Sequence, residues 1–128
     1  MSEERRAPEP IAQGLMRFLA ATGTLACGAA VGMGAYAMHS GLTSQNHQRM
    51  GLAALFLFAH GLALAALAPG TRSRMQRVGL CVLLIGTILF AGSLAFAAVA
   101  GIEPTLAPYG GSLLIVGWLI IATGFLFG

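Results

Sequence analysis

Four stretches of this chain run without a charged residue: Phe18 to Met38, Met50 to Ala68, Val78 to Ile102 and Tyr109 to Phe127. A bilayer's hydrocarbon layer, about 30 Å thick, needs about 20 mostly apolar helical residues to cross it. Each run has roughly that length. Water offers no reason to keep four such runs free of charge, and little of the 128 residues is left for a soluble domain. The expected fold is an all-α membrane protein, four transmembrane helices in an up-down bundle. Residues 16–128 form the membrane domain, and residues 1–15 form a charged, proline-containing tail. A membrane barrel is disfavoured, because its strands would alternate polar and apolar. The 18 glycines would weaken helices in water, but membrane helices use glycine for close contact.

The charges that remain set an orientation. Arg5, Arg6 and Arg17 precede the first run, and Arg72, Arg74 and Arg77 sit in the short link before the third. Only Arg49 lies between the first two runs, and the link Glu103 to Pro108 has no arginine. This bias places both termini on the cytoplasmic side of the membrane, or on the matrix side in an organelle. The basic excess therefore reports topology, with some attraction to anionic headgroups. Nothing interleaves arginine with aromatic residues in the way nucleic-acid binding asks. The first run, about 20 residues, exceeds the 7–15 of a signal-peptide core. Cys27 and Cys81 fall at depths about 9 Å apart, beyond the reach of a disulfide.

Small residues recur every seven positions. The first helix carries Gly14, Ala21, Gly28 and Ala35, and the second Ala54, Gly61 and Ala68. The third carries Gly79, Gly86, Ser93 and Ala100, and the fourth Gly110, Gly117 and Gly124. A heptad spacing keeps one stripe facing a neighbour in a left-handed bundle. Small residues on the stripe let backbones approach where lipid supplies no hydrophobic drive. Gly28 and Gly32 add a Gly-x-x-x-Gly motif. The expected packing residues are Gly28, Gly32, Gly61, Gly79, Gly86, Gly110, Gly117 and Gly124.

Four segments, in order, carry a family resemblance: GAYAMH from Gly34, AHGLALAAL from Ala59, GTILFAGSLAF from Gly86 and PYGGSLLIVGW from Pro108. Together they resemble the YgdD-like family of small bacterial inner-membrane proteins, domain-of-unknown-function family 423, which has mitochondrial relatives. The resemblance implies four membrane helices and no assigned activity. The tyrosine and glutamine usual before that family's helix-two histidine are Phe56 and Leu57 here.

One ionisable residue lies deep in the apolar runs. An ionisable group inside a membrane is by default a functional candidate, so His60 is singled out, with Ser93 at similar depth as its expected partner. The plainer reading is a neutral His60 that ties helices together through Ser93 or a backbone carbonyl. Trp118 reads as a packing residue, and His39, His47 and Arg49 as residues in or beside the first outer loop. Paired axial haem ligands, a buried carboxylate for proton-coupled export, a convergent metal set and a third group to orient a Ser93–His60 nucleophile are all missing from the pattern. No catalytic residue, cofactor or metal is expected, and the chain does not read as an enzyme. It reads as a structural or accessory membrane protein, a minor subunit against a larger complex. The mitochondrial relatives direct attention to energy-transducing complexes. The alternative is a small carrier or channel using His60 and Ser93. Membrane lipid, a larger complex or self-association are the expected partners.

Overall fold

A computed structural model describes residues 9–128. Four helices follow one another: α1 (Pro10–His39), α2 (Ser44–Leu67), α3 (Arg74–Ala100) and α4 (Ala107–Phe127), with a 3-10 turn at Ala68–Gly70 after α2. All four are long and apolar enough to cross a membrane, and no strand occurs among the described residues.

The helix ends differ from the sequence expectation where polar residues continue the helix outside the lipid. α1 begins at Pro10, eight residues before the apolar run. Proline suits a first turn, whose N–H groups have no helical partner anyway. Residues 10–15, expected as tail, are thus helical; residues 1–8 lie outside the described ones. α2 begins at Ser44, with the Thr43 hydroxyl accepting from the Asn46 N–H at 3.3 Å. His47 and Arg49, expected in or beside the first loop, therefore sit in its opening turns. Ser73 caps α3 on the Gln76 N–H. Gly101, at φ 69°, ends α3 in the left-handed region that favours glycine.

The helices pack as two hairpins. α1 lies mainly on α2, α3 mainly on α4, and the hairpins join along α2 and α3. The main cluster gathers Met16, Leu19, Leu64, Leu80, Leu83, Leu114 and Ile121. Large apolar side chains such as Leu25, Ile115 and Phe96 point outward, as they must where lipid is the solvent.

Glycine makes the hairpins tight. At α3/α4 a Cβ added to Gly86 would lie 2.9 Å from Leu114 N, and one at Gly117 3.1 Å from Leu83 N. One at Gly79 would reach 3.0 Å from Ile121 N, and one at Gly124 3.1 Å from Gln76 N. A Cβ at Gly110 would collide with the Phe90 backbone. At α1/α2 the crossing is Gly23 against Gly61, where a Cβ on Gly61 would sit 2.7 Å from Gly23 O. Six of the expected glycines thus stand at helix contacts. Gly28 and Gly32 do not: a Cβ at either meets nothing within 4 Å. The inner seam of α1 is instead Met16, Gly23, Ala30 and Ala37, all buried.

Candidate functional site

The buried ionisable group His60 is 9% exposed on the third quarter of α2. Its Nδ1 lies 2.8 Å from the Phe56 carbonyl, one turn back in its own helix. Its Nε2 lies 3.2 Å from Trp118 Nε1 on α4. An indole N–H can only donate, so Nε2 must accept. The proton then belongs on Nδ1, donating to Phe56 O. This pattern is complete only for the neutral ring.

Aromatic rings frame the histidine. Phe56 stacks on His60 at 5.5 Å between centroids, and Phe90 of α3 meets Phe56 at 4.5 Å. Trp118 lies tilted at 6.0 Å from His60. The site therefore runs across α3, α2 and α4. Phe56, the departure from the resembled family's tyrosine, supplies both the stacked ring and the carbonyl. Trp118, read from sequence as packing alone, is the hydrogen-bond donor.

Ser93 is not part of this site, which corrects the expected pair. Phe56 meets Phe90, which fixes the register of α2 on α3. From that level His60 lies four residues toward the end where α1 and α3 begin and Ser93 three residues toward the opposite end, about 10 Å apart along the axes. Ser93 lines a groove beside the α3–α4 link with Gly92, Phe96 and Glu103 instead. Four intramembrane hydroxyls are satisfied locally. Thr24, Thr87, Ser112 and Thr123 each donate to a carbonyl four residues back, at 2.7–2.9 Å.

A second polar cluster closes the opposite end. The Arg49 guanidinium, largely buried, donates to Glu103 Oε2 at 3.1 Å and to Ile102 O at 3.2 Å. It thereby ties the start of α2 to the α3–α4 link. His47 Nδ1 lies 2.9 Å from Ala37 O, tying α2 to the end of α1. Both thiols are free, and Cys27 Sγ points at Phe58 O at 3.6 Å. Among the described residues, no three His, Cys, Asp or Glu side chains converge into a metal-holding group.

His60 joins α2 to α4, and Arg49 joins α2 to the α3–α4 link. A double-mutant test follows. His60→Leu should cost about 0.6–2 kcal/mol, the range for a membrane hydrogen bond, and Trp118→Phe a similar amount. Together they should cost clearly less than the sum, measured by unfolding in mixed detergent. Strictly additive losses would show that the two side chains do not work as a pair.

The fold and site can be set beside known proteins. A family model described as "Protein of unknown function (DUF423)" matches residues 32–111. The match runs from the last turns of α1 to the first turn of α4 and takes in His60, Phe56, Phe90 and the α2/α3 join. It stops short of Trp118. No solved structure matches the chain.

Proposed function

The chain belongs to the DUF423 family, and from that premise we propose that it is an accessory protein of a bacterial inner membrane, packed against a larger membrane complex. One observation carries the reading: the buried polar side chains His60 and Thr87 spend their hydrogen-bonding groups within the protein, and among the described residues Ser40 Oγ, at the end of α1, is the buried side-chain polar atom without a partner. Both ring nitrogens of His60 are engaged within the protein. The hairpin seams bring backbone against backbone at Gly23, Gly61, Gly86, Gly110 and Gly117. Two grooves are lined by α3, α4 and their link alone, and the cleft between α1 and α3 opens at the end of the bundle.

What remains for function is the outer surface. α1 is the least enclosed helix, with 17% of its span buried. Its outward side carries Gly14, Ala21, Gly28, Gly32 and Ala35. That side has the small residues that let a further helix approach closely. An accessory subunit would use such a face; energy-transducing complexes are the first assemblies to search. The carrier reading needed His60 and Ser93 together, and they lie apart.

The purified protein in liposomes should therefore pass no solute in a His60-dependent way. Flux of ions or small metabolites that disappears in His60→Gln would restore the carrier reading.

The proposed orientation puts both termini in the cytoplasm, supported by Arg17, Arg72, Arg74 and Arg77 gathering at one end of the bundle. A cysteine replacing the exposed Gly41 should react with an impermeant maleimide in intact cells, while one at Gly70 should react only after permeabilisation. The reverse pattern would invert the topology.

A further inference from the structure

At the end of the bundle where α1 and α3 begin, a cleft of about 360 Å³ opens between the first turns of α1, the α2–α3 link and α3. Ligand pockets start near this size, at about 300 Å³. Its walls combine two chemistries. Arg17 and Arg77 enter it from different helices, with Gln13 and Thr71 beside them. Met16 and Ala20 give it an apolar floor. Thr71 spends its hydroxyl proton on Leu67 O at 2.7 Å, which leaves its oxygen free to accept. Arg77 spends one donor on Arg72 O at 3.4 Å, which steadies the guanidinium and leaves its others available.

The level matters as much as the composition. The uncharged runs begin immediately after these two arginines, at Phe18 and Val78. α1, at 30 residues, is about 45 Å long and overshoots a hydrocarbon layer of about 30 Å. Its segment from Pro10 to Arg17 therefore stands among the headgroups. The cleft opens where phosphates lie, and its floor continues toward the acyl chains. Guanidinium groups bind phosphate oxygens through paired N–H donors, and basic pockets between membrane helices suit anionic headgroups.

We propose that this cleft holds a phosphate-bearing anion, gripped by Arg17 and Arg77, with its ester arm over Met16 and Ala20. The apolar floor matches the acyl-bearing glycerol end of an anionic phospholipid; a soluble phosphate compound shares the charged part of the recognition. The site is independent of the accessory reading, since it lies at the start of α1 and needs no partner protein.

The test uses the full chain in bilayer discs of phosphatidylglycerol and phosphatidylcholine in equal parts, released for native mass spectrometry. The wild type should retain phosphatidylglycerol selectively. Arg17→Gln/Arg77→Gln should lose that retention by about thirtyfold, the weight of two arginines at an anionic surface. Arg72→Gln/Arg74→Gln removes the same charge outside the cleft and should retain the lipid. Ala20→Phe fills the floor without changing charge and should also release it, which covers the chance that the double arginine variant folds poorly. Inorganic phosphate in millimolar excess should leave the lipid bound; if it displaces the lipid, the same two arginines serve a soluble phosphate. Equal retention by the Arg17/Arg77 and Arg72/Arg74 variants, or no preference for phosphatidylglycerol, would overturn the site.

Discussion

Gly110→Leu should unfold the α3/α4 hairpin. A Cβ at that position already collides with the Phe90 backbone, and backbone cannot rotate away as a side chain can. The helices would have to separate along a seam that also holds Gly86, Gly117 and Leu114. Overpacking a core by a methylene or two costs about 1–3 kcal/mol; four added carbons against backbone should exceed that range. Ile115→Ala, on the 65%-exposed outer side of the same helix, should stay within about 0.5 kcal/mol. Midpoints of unfolding in mixed detergent decide it. Matching midpoints for the two variants would mean that the glycine seam does not hold this hairpin.

α1 offers the sharper contrast, because it carries two seven-residue stripes of small residues on different sides. Gly23 is pressed against Gly61, Leu64 and Ala65. Gly28 has open space around it. Gly23→Leu should split α1 from α2 and destabilise the protein by more than about 3 kcal/mol. Gly28→Leu should leave the midpoint unchanged or raise it slightly, since leucine is the better helix former. A comparable loss in both would place the α1/α2 contact on the wrong side of the helix.

That contrast also marks where the sequence stops being informative. The four spans were legible because charge is excluded from lipid so strongly that its absence over about 20 residues has few other causes. The seams of α2 and α4 were legible because each shows only one strict heptad of small residues. Ala54, Gly61, Gly110, Gly117 and Gly124 are all buried. On α1 the stripe through Gly14, Ala21, Gly28 and Ala35 was equally regular and faces outward, while Met16, Gly23, Ala30 and Ala37 form the seam. In water the hydrophobic face would settle such a choice. In lipid both faces are apolar, so the pattern is silent on which one meets a neighbour.

The site shows the same limit. His60 was conspicuous as a buried ionisable residue, but its partner was not. Trp118 is separated by 58 positions, and no spacing rule links the two. Depth pointed instead to Ser93, with α2 taken to start at Met50. The cap at Thr43 was a readable signal that it starts earlier, at Ser44. Register on α3 then follows from the Phe56–Phe90 contact, which only packing reveals. Arg49, counted for topology as a lone outer charge, is also the clasp on Glu103.

The central claim is that this protein works through its outer surface, with α1's open glycine face against a larger membrane protein. Affinity purification in mild detergent of the wild type beside Gly28→Leu/Gly32→Leu tests it most directly, once both are shown to have the same unfolding midpoint. The claim predicts that the wild type brings down one larger membrane protein in fixed ratio and that the double variant, equally folded, comes down without it. It is contradicted if the folded variant keeps that partner, or if the wild type is recovered only alone or bound to copies of itself.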